Sequence, residues 1–250
     1  MFRAFRDVNV RISNATTPHA LFESRAFAVF DWVGRALTSD PAVRTVLDVG
    51  AGRSWHFGHD LKVRCGFKLI GVDDSAEEMA LNPSLDERIV GDACVSLGVP
   101  DGSVDLIVSR ATVEHLADNA AFVRNAYKAL RPGGQFALVF ANKWSPTSMM
   151  NRMLPSGVSV GLLHALVPNS KGHQGFKAPY DRCSHGEFGQ ILKDANFAIE
   201  YQYNSYYSSS YFQFFAPLHA LSIASDYTRQ MISLRNLSSQ CLFVARKPLS

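Results

Sequence analysis

The chain has 250 residues, enough to bury one substantial core, and its 47% hydrophobic and 19% charged content is typical of a folded globular protein. The formal net charge is only +3 and no run of lysine or arginine occurs, which favours a solvated surface and predicts no nucleic-acid partner. The four cysteines stand far apart without a CxxC pair, so we expect reduced thiols and neither a disulfide framework nor a metal site.

Targeting and membrane signals are weak. The first ten residues, MFRAFRDVNV, lack the apolar core of a signal peptide. The most apolar stretch, 211–224, is interrupted by Gln213, Pro217 and His219 and is too short to span a bilayer. We therefore expect a cytoplasmic protein without stable membrane insertion.

Strands and helices alternate along the first part of the chain. Residues 19–37 carry apolar side chains at spacings of three and four, which predicts an amphipathic helix within an N-terminal helical segment, 1–40. Five short apolar runs then predict strands buried on both faces, at 44–50, 67–72, 88–91, 104–109 and 135–141. The clearest intervening helix, 118–130, ends at the stop signal RPGG. This alternation predicts an α/β fold, a Rossmann-like doubly wound and mostly parallel sheet.

Residues 142–183 interrupt the alternation, because they contain four prolines, several glycines and no long periodic run. An irregular segment of this length predicts a functional or mobile lid. Order resumes at the capping box SHGE, which predicts a helix at 188–195 with a left-handed end at Asn196. A strand at 197–203, a helix at 211–233 and a final strand at 240–246 follow. We expect one domain, 41–250, with insertions at 142–183 and about 204–235.

The strongest functional signal is VLDVGAGRS at 46–54, a strand that runs into a glycine turn. Gly50 and Gly52 allow close approach of a ligand to the backbone, and such turns lie where doubly wound sheets bind ligands. Asp73 ends the next strand, where a carboxylate can accept both hydroxyls of a ribose, and Asp92 follows the third. Either acid alone could be a helix cap. With Asp48, three acids at three successive strand ends favour a nucleoside site.

Five segments in order, DVGAGRS, GVDDSAEEM, ERIVGDA, PDGSVDLIVSRATVEHLAD and LRPGGQFALV, resemble the motifs of class I S-adenosylmethionine-dependent methyltransferases, especially the type 11 group. The resemblance covers residues 44–141 and implies methyl transfer from S-adenosyl-L-methionine. It implies that Asp48, Gly50 and Gly52 line the methionine part of the cofactor. It further implies that Asp73 holds the ribose and that Asp92 and Ala93 contact the adenine. Arg110 would lie near the cofactor at the end of the fourth strand.

Two positions depart from the family pattern. Ser54, followed by Trp55, stands where many relatives have a third glycine, and we expect small changes in the approach of the following helix. Arg110 replaces what is often a small residue, so we expect it to cover the cofactor or meet the substrate.

Two alternatives remain beside the enzyme. A nicotinamide-dependent oxidoreductase shares the strand, glycine turn and distant acid, but its GxGxxG pattern would need glycine at Trp55. A non-catalytic binding subunit of the same fold is the other alternative, and the intact acids Asp48, Asp73 and Asp92 speak against it.

The residues next to the methyl acceptor are less well specified. His115 follows the fourth strand and either packs as a hydrogen-bonded histidine or removes a proton from the acceptor, a step that methyl transfer does not always need. His56 and His59 have no further ligands at metal spacing, so no metal is expected. The insert near 204–235 holds an aromatic cluster that either packs or suits a small or medium-sized, apolar or aromatic acceptor: Tyr203, Tyr206, Tyr207, Tyr211, Phe212, Phe214 and Phe215.

Overall fold

The computed structural model describes residues 2–153 and 178–249. These residues contain one sheet of seven strands in the order β3-β2-β1-β4-β5-β7-β6. The strands are β1 (Thr45–Val49), β2 (Lys68–Asp73), β3 (Glu87–Val90), β4 (Val104–Arg110), β5 (Leu130–Ala141), β6 (Ala198–Ser205) and β7 (Gln240–Arg246). Neighbours among β1–β5 pair in parallel, and β7 pairs antiparallel with both β5 and β6. The prediction of a mostly parallel α/β sheet is confirmed.

Helices cover both faces of this sheet. They are α1 (Phe2–Thr16), α2 (His19–Glu23), α3 (Ala26–Thr38), α4 (His59–Cys65), α5 (Ala76–Ala80), α6 (Asn119–Ala129), α7 (Pro146–Met153), α8 (His185–Asp194) and α9 (Ala216–Met231). Side chains alternate along a strand, so β1 feeds two cores. Leu47 packs in a cluster with Phe122 of α6, whereas Val46 packs in a second cluster with Phe30 of α3. Burial on both faces explains why β1, β2, β4 and β5 are largely apolar. The prediction of two-sided burial is wrong for β3, which is an edge strand and mostly exposed.

The helix predicted at 19–37 is wrong as a single element. The chain forms α2 and α3 with a break at Ser24 and Arg25, where the backbone turns extended. The Ser24 hydroxyl donates to the Leu21 carbonyl at 2.7 Å, and the Tyr203 hydroxyl donates to the Ser24 carbonyl at 2.8 Å. These bonds replace the helical hydrogen bonds lost at the break, and one of them comes from a residue far away in sequence.

Several boundaries differ from prediction while the elements themselves agree. β5 begins at Leu130, before the predicted stop signal, because Gly133 at φ +80° donates its N–H to the Lys247 carbonyl and extends the pairing beyond β7. The helix predicted at 211–233 begins only at Ala216, after a 3₁₀ turn at Ser209–Phe212. α7 forms within the insert predicted to be irregular, and residues 154–177 of that insert lie outside the described residues.

The predicted capping box is confirmed at the start of α8. The Ser184 hydroxyl accepts from the Glu187 N–H and also contacts the Glu187 carboxylate at 2.5 Å. Asn196 has the predicted left-handed conformation, with φ at +64°. Local side-chain chemistry therefore identified the cap and the end of this helix, although it begins at His185, three residues before the predicted start at Phe188.

A buried ion pair holds the insert after β6. Asp226 is fully buried and accepts hydrogen bonds from the Ser208 N–H at 2.9 Å and the Ser209 N–H at 3.1 Å. Its partner Arg229 contacts the same carboxylate and donates to the Tyr206 carbonyl at 3.0 Å. The pair thus ties α9 to the loop that follows β6.

Replacement of Asp226 should destabilise the fold strongly. Asp226→Ala leaves the Arg229 charge buried without its carboxylate, and we expect the free energy of unfolding to fall by about 3–5 kcal/mol in urea denaturation. The control Glu87→Ala breaks an exposed pair with Lys68 and should change it by less than about 1 kcal/mol. Equal effects of the two variants would contradict a structural role for the buried pair.

Candidate cofactor-binding site

The turns after β1 and β4 meet at the carboxyl edge of the sheet. A Cβ atom at Gly50 would lie 1.8 Å from the Thr112 hydroxyl oxygen, and φ there is +77°, so only glycine fits. Gly52, at φ +46°, has no atom within 4 Å of the position of a Cβ. Its backbone is therefore open to a ligand, and its N–H donates to Asp73 Oδ2 at 3.0 Å.

Two of the predicted acids are brought together at this edge. Asp48 is 1% exposed, and its Oδ2 atom has no hydrogen-bond partner. Burial, together with the nearby charge of Asp73, raises the pKa of Asp48 to about 7 against the opposing effect of Arg110. Asp73 accepts from the Gly52 and Ser75 N–H groups, each at 3.0 Å. A carboxylate has lone pairs for further donors, so Asp73 retains capacity for ligand hydroxyls.

Arg110 is held at the end of β4 by the N-terminal helices. Its Nε atom lies 3.4 Å from Asp31 Oδ1, and its guanidinium carbon lies 4.6 Å from the centre of the Phe27 ring. Burial raises the pKa of Asp31 despite this pairing. Burial and the charge of Arg110 also lower the pKa of His56 to about 4, so that imidazole is neutral at neutral pH. Arg110 therefore places a positive charge beside Asp31 and near Asp48.

The third predicted acid has a different local role. Asp92 is exposed, and its Oδ1 atom accepts from the Cys94 N–H at 2.8 Å, which stabilises the turn after β3. Ala93 is buried, and its carbonyl accepts from the Asn125 side chain at 3.0 Å. Asp92 thus stabilises a turn and does not cap a helix, since none follows it directly, and its second oxygen atom lies outside that bond.

Trp55 fills the position where a dinucleotide fold would have its last glycine. The indole is buried and makes edge-to-face contacts with Phe57, at 4.8 Å between ring centres, and with Phe67, at 6.1 Å. The next helix, α4, starts only at His59. The glycine turn is therefore followed by a packed aromatic loop, and the next helix does not begin directly after the glycines. This is a larger change in the approach of that helix than we expected from the sequence.

Glu114 and His115 lie in a 3₁₀ turn after β4 but differ in exposure. Glu114 is 6% exposed, accepts from the Ala141 N–H at 3.4 Å through Oε1, and leaves Oε2 without a partner. Burial raises its pKa to about 7. His115 is exposed as a residue, and partial desolvation of its ring lowers its pKa while the Asp74 carboxylate opposes that effect. Glu114 therefore links β4 to β5, whereas His115 faces the β2 end.

The predicted aromatic cluster divides into packed and open members. Tyr206 and Tyr207 are buried, and Tyr207 contacts Phe22 of α2 edge to face at 6.3 Å. Burial raises the pKa of the Tyr211 phenol, and the nearby Tyr180 and Glu114 raise it further. Tyr211 is itself 43% exposed, and the effect of Glu114 indicates that its phenol lies in the neighbourhood of the turn after β4.

Comparison with known proteins agrees with this geometry. Residues 47–138 match the family model described as a methyltransferase domain. A probable S-adenosylmethionine-dependent methyltransferase of Mycolicibacterium smegmatis is 34% identical over 132 residues, which is 51% of this chain and 50% of the relative. Residues 47–138 form a class I S-adenosylmethionine-dependent methyltransferase domain.

More distant proteins resemble the methyltransferase domain and its surroundings. The 2-methyl-6-phytyl-1,4-hydroquinone methyltransferase of Synechocystis is 29% identical over 115 residues, 43% of this chain and 34% of that protein. The crystal structure of geranyl diphosphate C-methyltransferase from Streptomyces coelicolor shares the fold, with a TM-score of 0.57 and 14% identity over 88% of this chain and 77% of that chain. The chain spans half or less of the length of these two sequence relatives.

The described residues contain neither a metal-binding cluster nor a membrane-spanning helix. Among residues 2–153 and 178–249, no group of three or more histidine, cysteine, aspartate or glutamate side chains could hold a metal ion. None of the helices in the same ranges combines the length and the apolarity that crossing a bilayer requires.

The structure adds residues that the sequence did not indicate. Asp31 and Phe27 contact Arg110, and His56 lies near the same guanidinium. The one feature of the sequence that could have indicated this pairing is that Asp31 is a lone acid on a mostly apolar stretch of α3. The N-terminal helices are thus part of the surroundings of the methyltransferase domain's ligand edge.

The two buried acids predict a characteristic pH dependence of stability. The pKa values of Asp48 and Glu114 are about 7 in the folded chain and near 4 when unfolded, so the folded state binds more protons between these values. The contribution of each group to the free energy of unfolding should be fully present below about pH 4. It should fall as the pH rises to about 7, by up to about 1.4 kcal/mol per pH unit for each group. Urea denaturation between these pH values should show that the free energy of unfolding depends less steeply on pH in Asp48→Asn and in Glu114→Gln. Each variant should lose the contribution of the one group that it replaces.

The exposed Asp101 provides the matched control, and Asp101→Asn should keep the wild-type slope. Unchanged slopes in Asp48→Asn and Glu114→Gln would contradict the raised pKa values.

Proposed function

We propose that this chain transfers the methyl group of S-adenosylmethionine to a small or medium-sized, apolar or aromatic acceptor. The observation that carries the proposal is the buried Asp48, with an unpaired oxygen, beside Asp73 at the glycine turn. A buried acid beside a second, half-buried acid is electrostatically unfavourable on its own and favours a cationic ligand. S-adenosylmethionine carries both an ammonium and a sulfonium cation.

Each part of this cofactor has a chemically suitable group at the edge of the sheet. Asp48 would attract the cationic methionine end, above the open backbone of Gly50 and Gly52. Arg110, held by Asp31, would bind the carboxylate. The remaining contacts follow the family pattern, with Asp73 on the ribose hydroxyls and the turn of Asp92 and Ala93 beside the adenine.

S-adenosylmethionine, when bound, supplies an electrophilic methyl group. The chain then has to align the acceptor atom with that group and, where the acceptor carries a proton, remove it. His115 is our candidate for proton removal, because its lowered pKa keeps the ring neutral at neutral pH and the residue is exposed. Its orientation toward the β2 end is supported by the electrostatic effect of Asp74.

The acceptor would lie between the turn after β4 and the aromatic insert. Phe22 and Tyr211 are 41% and 43% exposed and offer ring surfaces, which suits an apolar or ring-bearing molecule. The Synechocystis relative is named for a phytylated hydroquinone, an acceptor of this chemical class. Lids and walls in such enzymes come from segments outside the sheet, and we assign this role to the N-terminal segment 1–40 and the insertions at 142–183 and about 204–235. The unpaired thiols of Cys65 and Cys94 support a reducing, cytoplasmic location.

The ribose contact can be tested without knowledge of the acceptor. Asp73→Ala removes a charged hydrogen-bond acceptor, so calorimetry should show S-adenosylmethionine binding weakened roughly ten- to hundred-fold. Asp101→Ala, an exposed acid in the turn before β4, should bind like the wild type. Absence of S-adenosylmethionine binding by the wild type, or tight nicotinamide binding, would contradict the proposed function.

The proton-removing role is tested once a labelled-cofactor screen of apolar metabolites has identified an acceptor. His115→Ala should lower kcat by about 10²–10⁴-fold and leave cofactor affinity unchanged, because general base catalysis acts in the chemical step. His19→Ala, which removes an exposed imidazole from α2, should leave kcat unchanged. A folded His115→Ala protein with wild-type turnover would assign catalysis to alignment alone.

A further inference from the structure

The helices α1 and α9 turn polar side chains toward the protein. Asn9 and Ser13 are the buried residues of α1 among those described. Asn9 Oδ1 accepts from the Ala216 N–H at 2.9 Å, and Ser13 Oγ donates to the Gln213 carbonyl at 3.2 Å. On α9 the buried residues are likewise polar: His219, Ser222, Asp226 and Arg229. The two helices therefore associate through hydrogen bonds instead of apolar packing.

Three large apolar side chains of α1 point into solvent. Phe5, Val8 and Ile12 are 51%, 54% and 48% exposed, respectively. Spacings of three and four place them on one face of the helix. Phe215, 41% exposed and just before α9, stacks on Phe5 with 6.4 Å between ring centres. We call these four residues the outer stripe.

An amphipathic helix ordinarily buries its apolar face, because apolar surface is costly to expose to water. Here α1 has the reverse orientation, and specific hydrogen bonds to the Ala216 and Gln213 backbone fix it. A contiguous apolar stripe that is oriented outward in this way indicates a surface that another apolar phase covers.

The charge of α1 identifies the kind of surface. The helix carries three arginines, Arg3, Arg6 and Arg11, and one acid, Asp7, for a net charge of +2. Arg11 is exposed, and Arg6 pairs with its neighbour Asp7 at 2.9 Å. A short helix with an apolar face and basic side chains is typical of segments that lie in the interface of anionic membranes.

A second copy of the chain fits the outer stripe less well. A stable homodimer needs about 800 Å² and about 20–30 residues from each partner, far more than four side chains supply. Pairing of α1 with α1 would also bring two net positive helices together. A lipid surface requires only insertion of the apolar face and attraction between the arginines and anionic headgroups.

We propose that the outer stripe is a membrane-docking surface, which binds the chain peripherally to bilayers that contain anionic lipid. Docking would hold the edge of the molecule formed by α1 and α9 against the headgroup region. The proposal does not depend on methyl transfer, since it follows from the orientation and charge of α1.

Vesicle co-sedimentation of the full chain tests the proposal. With vesicles of phosphatidylcholine containing roughly 30% phosphatidylglycerol, we expect the wild type to bind at least roughly tenfold more tightly than with phosphatidylcholine alone. High salt should weaken the binding. Val8→Asp places a negative charge in the outer stripe and should reduce binding to the anionic vesicles roughly tenfold or more.

Val63→Asp is the matched control, because Val63 is 65% exposed on α4, away from the outer stripe. It should bind vesicles like the wild type. Both variants should keep their melting temperature and S-adenosylmethionine affinity, which separates this test from that of the proposed function. Failure of the wild type to prefer anionic vesicles, or equal loss in both variants, would overturn the proposal. Concentration-dependent dimerisation that only Val8→Asp abolishes would do so too, by assigning the stripe to a second copy.

Discussion

Asp48 is buried beside the charged Asp73, so the folded chain carries an electrostatic cost at the carboxyl edge of its sheet. The apolar layers on both faces of β1 hold Asp48 in place despite that cost, because the strand cannot move outward without exposing Leu47 and Val46. Arg110 offsets only part of the negative charge, since Asp31 shares its guanidinium. In the function we propose, a cationic ligand would offset the rest. The same strand burial that stabilises the fold therefore prepares the edge for such a ligand.

How far the sequence predicted the structure depended on whether the partners were local. The strand at 240–246 and the Ser184 capping box were predicted correctly, because apolar runs and caps are determined within a few residues. The glycine turn was also correctly located, although the contact that requires glycine at position 50, with the Thr112 hydroxyl, comes from the turn after β4. The break at Ser24 was missed because the Tyr203 hydroxyl that stabilises it is 179 positions away. For the same reason, the sequence could not show that Asp31 would hold Arg110. The residue roles carried over from the family remain predictions.

Polar contacts join the N-terminal helical segment to the insert after β6. Thr17 Oγ1 lies 2.9 Å from His219 Nε2, and the Gln213 side chain donates to Asn14 Oδ1 at 2.9 Å. Such directional contacts fix the helices without adding to the two apolar cores, whose members come mainly from α3, α6, α8 and the strands. The segments to which we assign the acceptor site can therefore change in shape through a few hydrogen bonds while the sheet stays intact. This separation suits a fold whose function is set by segments added to a common core.

The antiparallel edge of the sheet has a consequence for how the chain is made. β6 hydrogen-bonds only to β7, which lies between it and β5. During synthesis β6 leaves the ribosome before β7 exists, so its backbone N–H and carbonyl groups have no strand to pair with at that stage. Its seven-residue partner, Gln240–Arg246, must then insert between β5 and β6 in one late step that joins segments far apart in sequence. Until that step, an unpaired strand is available to neighbouring nascent chains, and aggregation competes with folding most strongly in this interval.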